Sequence, residues 1–410
     1  MILPNGTHLT YCTNIHPGEN WKDVLASLKL YLPDLKKKLS PEAPFGVGLR
    51  LSNLASQELL IGNNLADFKS WLDAEGLYVF TMNGFPYGGF HQEVVKDAVH
   101  KPDWTTQNRL AYTIRLAYIL AELLPEGMEG GISTSPLSYK PWSGFNKDRF
   151  KEVFELTAMH LTMVTEELLY LKETKGKTIH IDIEPEPDGL LENTQEVIHF
   201  YQKWLLYIGC KRLACTRGMS PDEAVNALLH HIRVCYDVCH FALAYEAPSD
   251  TFARLKAAGI QIGKIQLSAA LKTELPESET ERATIAEQLK PFAESTYLHQ
   301  VVERDSNGKL NYYCDLPYAL QHIQKKTARE WRTHFHVPLF TEAYNGLEST
   351  QSDVATVLNY ITEHPELTSH LEVETYTWEV LPEGLKTDLS TSIARELEWV
   401  MQHTQVKENA

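Results

Sequence analysis

Cysteine is scarce in this chain: six residues (Cys12, Cys210, Cys215, Cys235, Cys239 and Cys314) among 410, with no CxxC pair. That spacing excludes a disulfide framework and a cysteine-built zinc site, and it suits a reducing compartment. Basic clusters are equally rare. Lys36–Lys38 is the only tight basic run, and the net charge is −16. Nucleic acid and anionic membrane are therefore excluded as partners, because phosphate binding needs a clustered basic surface. The lysine run falls where a helix should end, where cations favour the macrodipole. No stretch approaches the roughly 20 apolar residues of a membrane helix, so direct membrane insertion is not expected. The opening residues, Met1–Gly6, lack a basic n-region and a long apolar run, so the expected location is cytoplasmic. There is no linker and no low-complexity segment, which predicts one domain over residues 1–410.

What is present is a hydrophobic content of 43%, ample for a core, and a recurring strand–helix alternation. In Thr178–Gly189, Ile179, Ile181 and Ile183 alternate with His180, Asp182 and Glu184, giving one aliphatic and one ionisable face. Alone, this pattern equally describes a half-exposed strand. The Pro-rich turn that follows leads into a helical stripe of Val197, Phe200, Tyr201, Trp204, Leu205 and Ile208. A strand–turn–helix unit implies a parallel sheet covered by helices, with the polar face turned inward.

The same unit recurs. Strands are predicted at 7–13, 45–52, 77–82, 131–135, 233–239 and 262–267. Helices are predicted at 21–37, ending near Glu75, and at 105–124 and 147–172. Another begins at the capping box Ser220-Pro221-Asp222-Glu223 and runs to His231. No GxGxxG follows the first strand, and seven or more βα units in succession favour a closed (β/α)8 barrel, the TIM barrel, over an open sheet. The last third is less regular. Segments 297–304 and 309–314 flank Asn307-Gly308, a hairpin turn. Further strands are predicted at 332–340 and 371–380, which exceeds eight, so the hairpin or the 332–340 strand must be an excursion from the barrel.

Active sites of such barrels lie at the C-terminal strand ends. Those ends offer Glu184, then Glu186; Asp237 and His240; Gln266 and Ser268; His334 and His336 on one face; and Glu372 and Glu374 on one face. Singly, each is more often a surface or ion-paired residue. Together they predict a divalent cation (Mn, Zn, Mg or Co) held by mixed oxygen and nitrogen ligands. The assigned set is Glu184, Asp237, His240, His334, His336 and Glu374. Four residues near the predicted rim are expected in the substrate pocket: His16, and Asn83, Tyr87 and His91 of the glycine-aromatic loop. For the two histidines, packing against aromatics is an even alternative. Arg50 would grip a carboxylate or phosphate there, or form a barrel ion pair.

Asp237-x-x-His240 after a βα unit, with Glu184 one strand earlier and Glu374 on the last strand, resembles the xylose-isomerase-like barrels. These include sugar isomerases and epimerases and the endonuclease IV type of phosphodiesterase. In the epimerases the matching Glu, Asp and final Glu hold one ion with a seventh-strand histidine, and the two glutamates shuttle a proton. By that resemblance Glu184 and Glu374 are the catalytic pair. In the nuclease type a histidine-bearing loop after the seventh strand adds ligands, matched here by His334 and His336. This chain departs from the epimerases at Gln266, which stands where they place the histidine; His299, His334 or His336 would replace it.

Longer blocks, Thr10–Glu19, Asn83–His91, Ser133–Pro136, His334–Leu339 and Glu374–Pro382, resemble the EboE family of metabolite-traffic proteins over nearly the whole chain. That resemblance implies a small-molecule metabolite as ligand and other proteins of the same cluster as partners. Three functions follow as expectations. The first is metal-dependent isomerase- or epimerase-type proton transfer on a small polyhydroxylated or phosphorylated metabolite. The alternatives are metal-dependent phosphoester hydrolysis and a non-catalytic binding or export scaffold.

Overall fold

The computed structural model describes residues 1–89, 95–144, 146–385 and 388–404. Seven strands come first: β1 (His8–Tyr11), β2 (Phe45–Arg50), β3 (Leu77–Asn83), β4 (Glu129–Thr134), β5 (Thr178–Ile183), β6 (Ile232–Asp237) and β7 (Ile262–Leu267). Six more follow: β8 (Ala269–Glu274), β9 (Val301–Asp305), β10 (Leu310–Tyr313), β11 (Ala328–Val337), β12 (Ala343–Tyr344) and β13 (Leu347–Ser349). The last, β14, is His370–Val373. Strands β1 to β7 and β14 form one parallel sheet in the order β1-β14-β7-β6-β5-β4-β3-β2. This is the eight-stranded barrel with interleaved helices that the βα repeat predicts.

The two end strands, β1 and β2, close the barrel through side chains. Thr10 Oγ1 donates to the Gly46 carbonyl at 2.8 Å and accepts from the Gly48 amide at 3.1 Å, and the Arg50 amide donates to Thr13 Oγ1 at 2.9 Å. Gly48 has no alternative here. A Cβ would lie 1.9 Å from Glu372 Oε1 and 2.7 Å from the Tyr11 carbonyl.

Inside the barrel, polar side chains are stacked in levels. Ile179, Ile181 and Ile183 are fully buried against the helices, each contributing about 1.5–3 kcal/mol of apolar burial. The opposite face of β5 points inward, as the alternation predicts. His180 Nδ1 lies 2.6 Å from Asp182 Oδ1, with the His370 ring 5.3 Å from that of His180. Above them Lys264 Nζ meets Glu372 Oε2 at 2.5 Å, both side chains fully buried. Burial alone would depress the Lys264 ammonium, but the Glu372 carboxylate beside it more than reverses this and holds it raised.

The excursion is larger than the predicted hairpin at 297–314. Strands β8 to β13 form a six-stranded sheet in the order β10-β9-β11-β8-β13-β12, and both the hairpin and the 332–340 segment belong to it. Its first strand, β8, is absent from the sequence expectations because Ser268 alone separates it from β7. The sixth barrel strand also ends earlier than predicted. The Asp237 side chain accepts from the His240 amide at 3.1 Å and caps a helix over Val238–Leu243. Cys239 is therefore on a helix rather than on the strand predicted over 233–239. The last strand stops at Val373, and Tyr376–Glu379 is a 3-10 turn. Among the described residues, no helix is long and apolar enough to cross a membrane.

Candidate metal centre

Three strands deliver carboxylates to the same point of the C-terminal rim: Glu184 just past β5, Asp237 at the end of β6 and Glu374 just past β14. One oxygen of each lies within 4.8 Å of the other two, and all three side chains are buried. The inward face of each strand sets this placement, since side chains two residues apart share a face.

Two of the three carboxylates are held by one oxygen. Asp237 Oδ1 accepts from the Ser268 hydroxyl at 2.6 Å and from the His240 amide at 3.1 Å. Glu374 Oε1 accepts from Asn14 Nδ2 at 2.8 Å and Asn83 Nδ2 at 2.9 Å. The second oxygens of Asp237 and Glu184, Oδ2 and Oε2, are buried with no hydrogen-bond partner. Burial, then Glu374, Asp237 and Glu186, push Glu184 well above the usual carboxylate range; burial, then Asp237 and Glu372, do the same to Glu374. An unpaired buried carboxylate is costly, and a cation is the partner that would relieve all three at once.

Nitrogen comes from the excursion. His336 Nδ1 lies 2.6 Å from the Glu374 carbonyl, which only accepts, so Nδ1 carries the proton and Nε2 presents a lone pair. Nε2 is buried and has no hydrogen-bond partner. Burial lowers the His336 pKa, which keeps the ring neutral and fit to bind a metal. His336 groups with Asp237 and His240. Thus Glu184, Asp237 and Glu374 converge on one point and His336 joins Asp237 from the excursion, and that mixed oxygen and nitrogen donor set fits a divalent cation.

His240 and His334 stand beside this set, their Nε2 atoms 3.1 Å apart. Both are held well below the ordinary imidazole range, chiefly by burial and then by neighbouring imidazoles. The cavity over the rim is lined by Asn14, Asn83, Phe85, His100, Glu186, Gln300 and Tyr376 as well as by Glu184, His240, His334, His336 and Glu374.

Other sequence-predicted residues are placed elsewhere. His299 Nδ1 lies 2.9 Å from the His334 carbonyl and its Nε2 2.7 Å from Glu294 Oε1, so both nitrogens are occupied and it buttresses His334. Gln266 lies deeper, its Oε1 accepting from the Cys235 thiol at 2.8 Å. His16 stacks on Tyr31 at 4.3 Å and meets the Tyr11 hydroxyl at 2.8 Å, the packing alternative. Arg50 pairs with Glu19 at 3.1 Å and bonds the Gly18 and Gly88 carbonyls, tying two loops together. Tyr87 packs on Tyr112, away from the rim. His91 lies outside the described residues.

Sequence reasoning left out Asn14, His100 and Gln300, and named Glu186 only as a strand-end residue. Glu186 has His100 Nε2 3.2 Å from its Oε1, close enough for ionic contact but without hydrogen-bond alignment. The alternation of Glu184 and Glu186 around Pro185 was the available signal for Glu186. Nothing local marks His100, which a 3-10 turn at Lys96–His100 brings in.

Fold and site together define a (β/α)8-barrel protein with a carboxylate–imidazole centre at the C-terminal face. Solved structures similar to it include the apo form of the 3-keto-D-glucoside 4-epimerase YcjR from E. coli. That likeness has 11% identity and a TM-score of 0.45, over 97% of this chain and 99% of that one. The IolI protein with a zinc atom has 10% identity and a TM-score of 0.45, over 97% and 98%. A xylose isomerase domain protein from Planctomyces limnophilus has 13% identity and a TM-score of 0.46, over 97% and 95%. No protein-family model matches the chain, and no curated protein matches it.

Proposed function

We propose that this protein is a metal-dependent enzyme catalysing isomerase- or epimerase-type proton transfer on a small polyhydroxylated or phosphorylated metabolite. The observation that carries it is the buried convergence of Glu184, Asp237 and Glu374, with Glu184 Oε2, Asp237 Oδ2 and His336 Nε2 all lacking hydrogen-bond partners. Those four residues would hold a divalent ion, which supplies polarisation of a substrate carbonyl or hydroxyl. Three oxygens and one imidazole suit Mn, Co or Zn better than a purely oxygen-seeking Mg.

The chain's own groups supply the rest. Glu184 and Glu374 are the proton carriers, and in the metal-free chain burial and neighbouring carboxylates hold both above the usual carboxylate range. Asn14 and Asn83 fix Glu374 through one oxygen and so orient the other. Phe85, Tyr297 and Tyr376 wall the cavity and limit water. The blocks resembling the EboE family support, within the same proposal, a role for this chemistry in a metabolite-trafficking system with other proteins of its cluster as partners. The test is ion content together with turnover of hydroxy-ketone or hydroxy-aldehyde sugars. A chain that takes up no divalent ion, and whose melting temperature no ion raises, would be a binding scaffold instead.

A further inference from the structure

The cavity over the rim encloses only about 70 Å³. A larger one, of about 230 Å³, lies beside it in the cleft between the barrel and the excursion. His240 lines both. The Pro-rich turn after β5 divides them: Glu184 and Glu186 line the rim cavity, while Pro187 lines the cleft, its carbonyl held at 3.2 Å by the Gln300 amide. Leu243 and Ala244, where the helix capped by Asp237 ends, wall the cleft from the barrel side. Val302 of β9 and Leu310 and Tyr312 of β10 wall it from the excursion. Small-molecule sites concentrate in such clefts between packed units, on mostly apolar linings.

The polar residues of the cleft are already engaged. Glu192 Oε1 accepts from the Asp188 amide at 2.6 Å and its Oε2 from Lys140 Nζ at 2.5 Å. Glu246 Oε1 accepts from Arg254 at 3.3 Å and its Oε2 from the Thr194 amide at 3.0 Å. Asn193 Oδ1 accepts from the Glu196 amide at 3.0 Å, capping the helix that follows. Lys140 and Arg254 are thereby spent on these carboxylates, which leaves neither for a phosphate. What the cleft offers is an apolar wall and Tyr312, 61% exposed on the edge strand of the excursion sheet. A hydroxylated ring would meet few free partners there, whereas a flat apolar group would lie against the Tyr312 face.

We infer that this cleft is the second part of the substrate site, and that the substrate is a polyhydroxylated compound carrying an aryl group. The hydroxylated part sits at Glu184 and Glu374, and the aryl group passes His240 and rests on Tyr312. The inference rests on the proposed function and adds the class of its substrate.

The test is methyl NMR on the full chain, ¹³C-labelled at leucine and valine and titrated with indole as the planar apolar probe. Indole is expected to shift the Leu243, Val302 and Leu310 methyls together. Tyr312→Ala should weaken its binding roughly threefold to tenfold, and Tyr312→Phe by less than about twofold, because the ring face is the contact. Tyr312 is a surface residue, and unchanged methyl signals elsewhere confirm the fold of both variants. With Co²⁺ bound, the indole protons should relax faster, since the cleft adjoins the centre. Shifts confined to other methyls, or an affinity that Tyr312→Ala leaves unchanged, overturn the cleft site and leave the proposed function standing. Cleft shifts from methyl β-D-glucopyranoside with none from indole overturn the aryl assignment. Cleft shifts from indole without faster relaxation in the Co²⁺-loaded chain separate the cleft from the centre and overturn the single substrate site. Cleft shifts from indole in a chain that takes up no Co²⁺ overturn the proposed function and leave the cleft as an aryl-binding site.

Discussion

His336 Nδ1 and the backbone oxygen of Glu374 are joined at 2.6 Å, linking strand β11 of the excursion to the residue that follows the last barrel strand. This bond sets the tautomer of His336 and leaves its Nε2 as the lone-pair nitrogen of a ring grouped with Asp237 and His240. The centre is thus shared between two sheets, and its ion would fasten one to the other.

Loss of His336 should consequently loosen the excursion as well as the ion. His336→Ala is expected to bind the ion at least tenfold more weakly. It should also raise amide exchange over Ala328–Val337 in the presence of metal. Exchange confined to the mutated residue's immediate neighbours would argue that the sheet is held by its own packing.

Glu184→Gln separates chemistry from folding. It removes a buried carboxylate that Glu374, Asp237 and Glu186 all repel, so the metal-free variant is expected to melt no lower than the wild type. Turnover should fall by roughly 10²–10⁴, the usual weight of a general acid–base group. The melting rise on adding Mn²⁺ or Co²⁺ should also shrink. Activity within a few-fold of wild type would remove Glu184 from the mechanism.

The pH response has a definite sign. Glu184 and Glu374 have folded pKa values raised above the ordinary carboxyl value of 4.5. The unfolded chain releases these protons first, so their contribution to stability in the metal-free protein declines as pH rises above about 4.5. His231 is held at about 3 by burial, against 6.5 when unfolded, so its contribution declines as pH falls below 6.5. Two carboxyls outweigh one imidazole, so from these groups the stability of the metal-free protein is greatest near pH 4.5 and falls from there toward 6.5. Metal binding requires the carboxylates deprotonated, so stabilisation by added ion should grow with pH. Urea unfolding from pH 4 to 8, with and without Co²⁺, checks both slopes; an ion effect that diminishes with pH would contradict the carboxylate ligand set.

Lys264 and Glu372 provide a stability test away from the ion. Lys264→Met leaves Glu372 buried with its partner removed and is expected to cost about 3–5 kcal/mol, the range for breaking a buried pair. The double variant Lys264→Met/Glu372→Gln should recover a substantial part of that loss in denaturant unfolding. Equal destabilisation in the two would mean that packing, rather than charge, makes the position sensitive.

Much of this was legible in the sequence because it is local and periodic. The alternation in Thr178–Glu184 separated the isoleucines buried against helices from the polar face turned into the barrel, since a strand has a side-chain period of two. Repeated βα units placed Glu184, Asp237 and Glu374 at C-terminal strand ends. The choice of histidine was a different matter. His299, His334 and His336 lie on similar stretches, yet His299 has both nitrogens spoken for, while His336 supplies a free lone pair. Long-range pairing decided this. β11 runs antiparallel to β8 and β9, and a register shift between Thr333 and His336 re-aims that part of the strand over the rim. No period in the chain records which loop returns across a barrel mouth, or which backbone carbonyl it meets there. Local alternation therefore determined the carboxylates, and only the packing of a second sheet on the barrel determined the imidazoles.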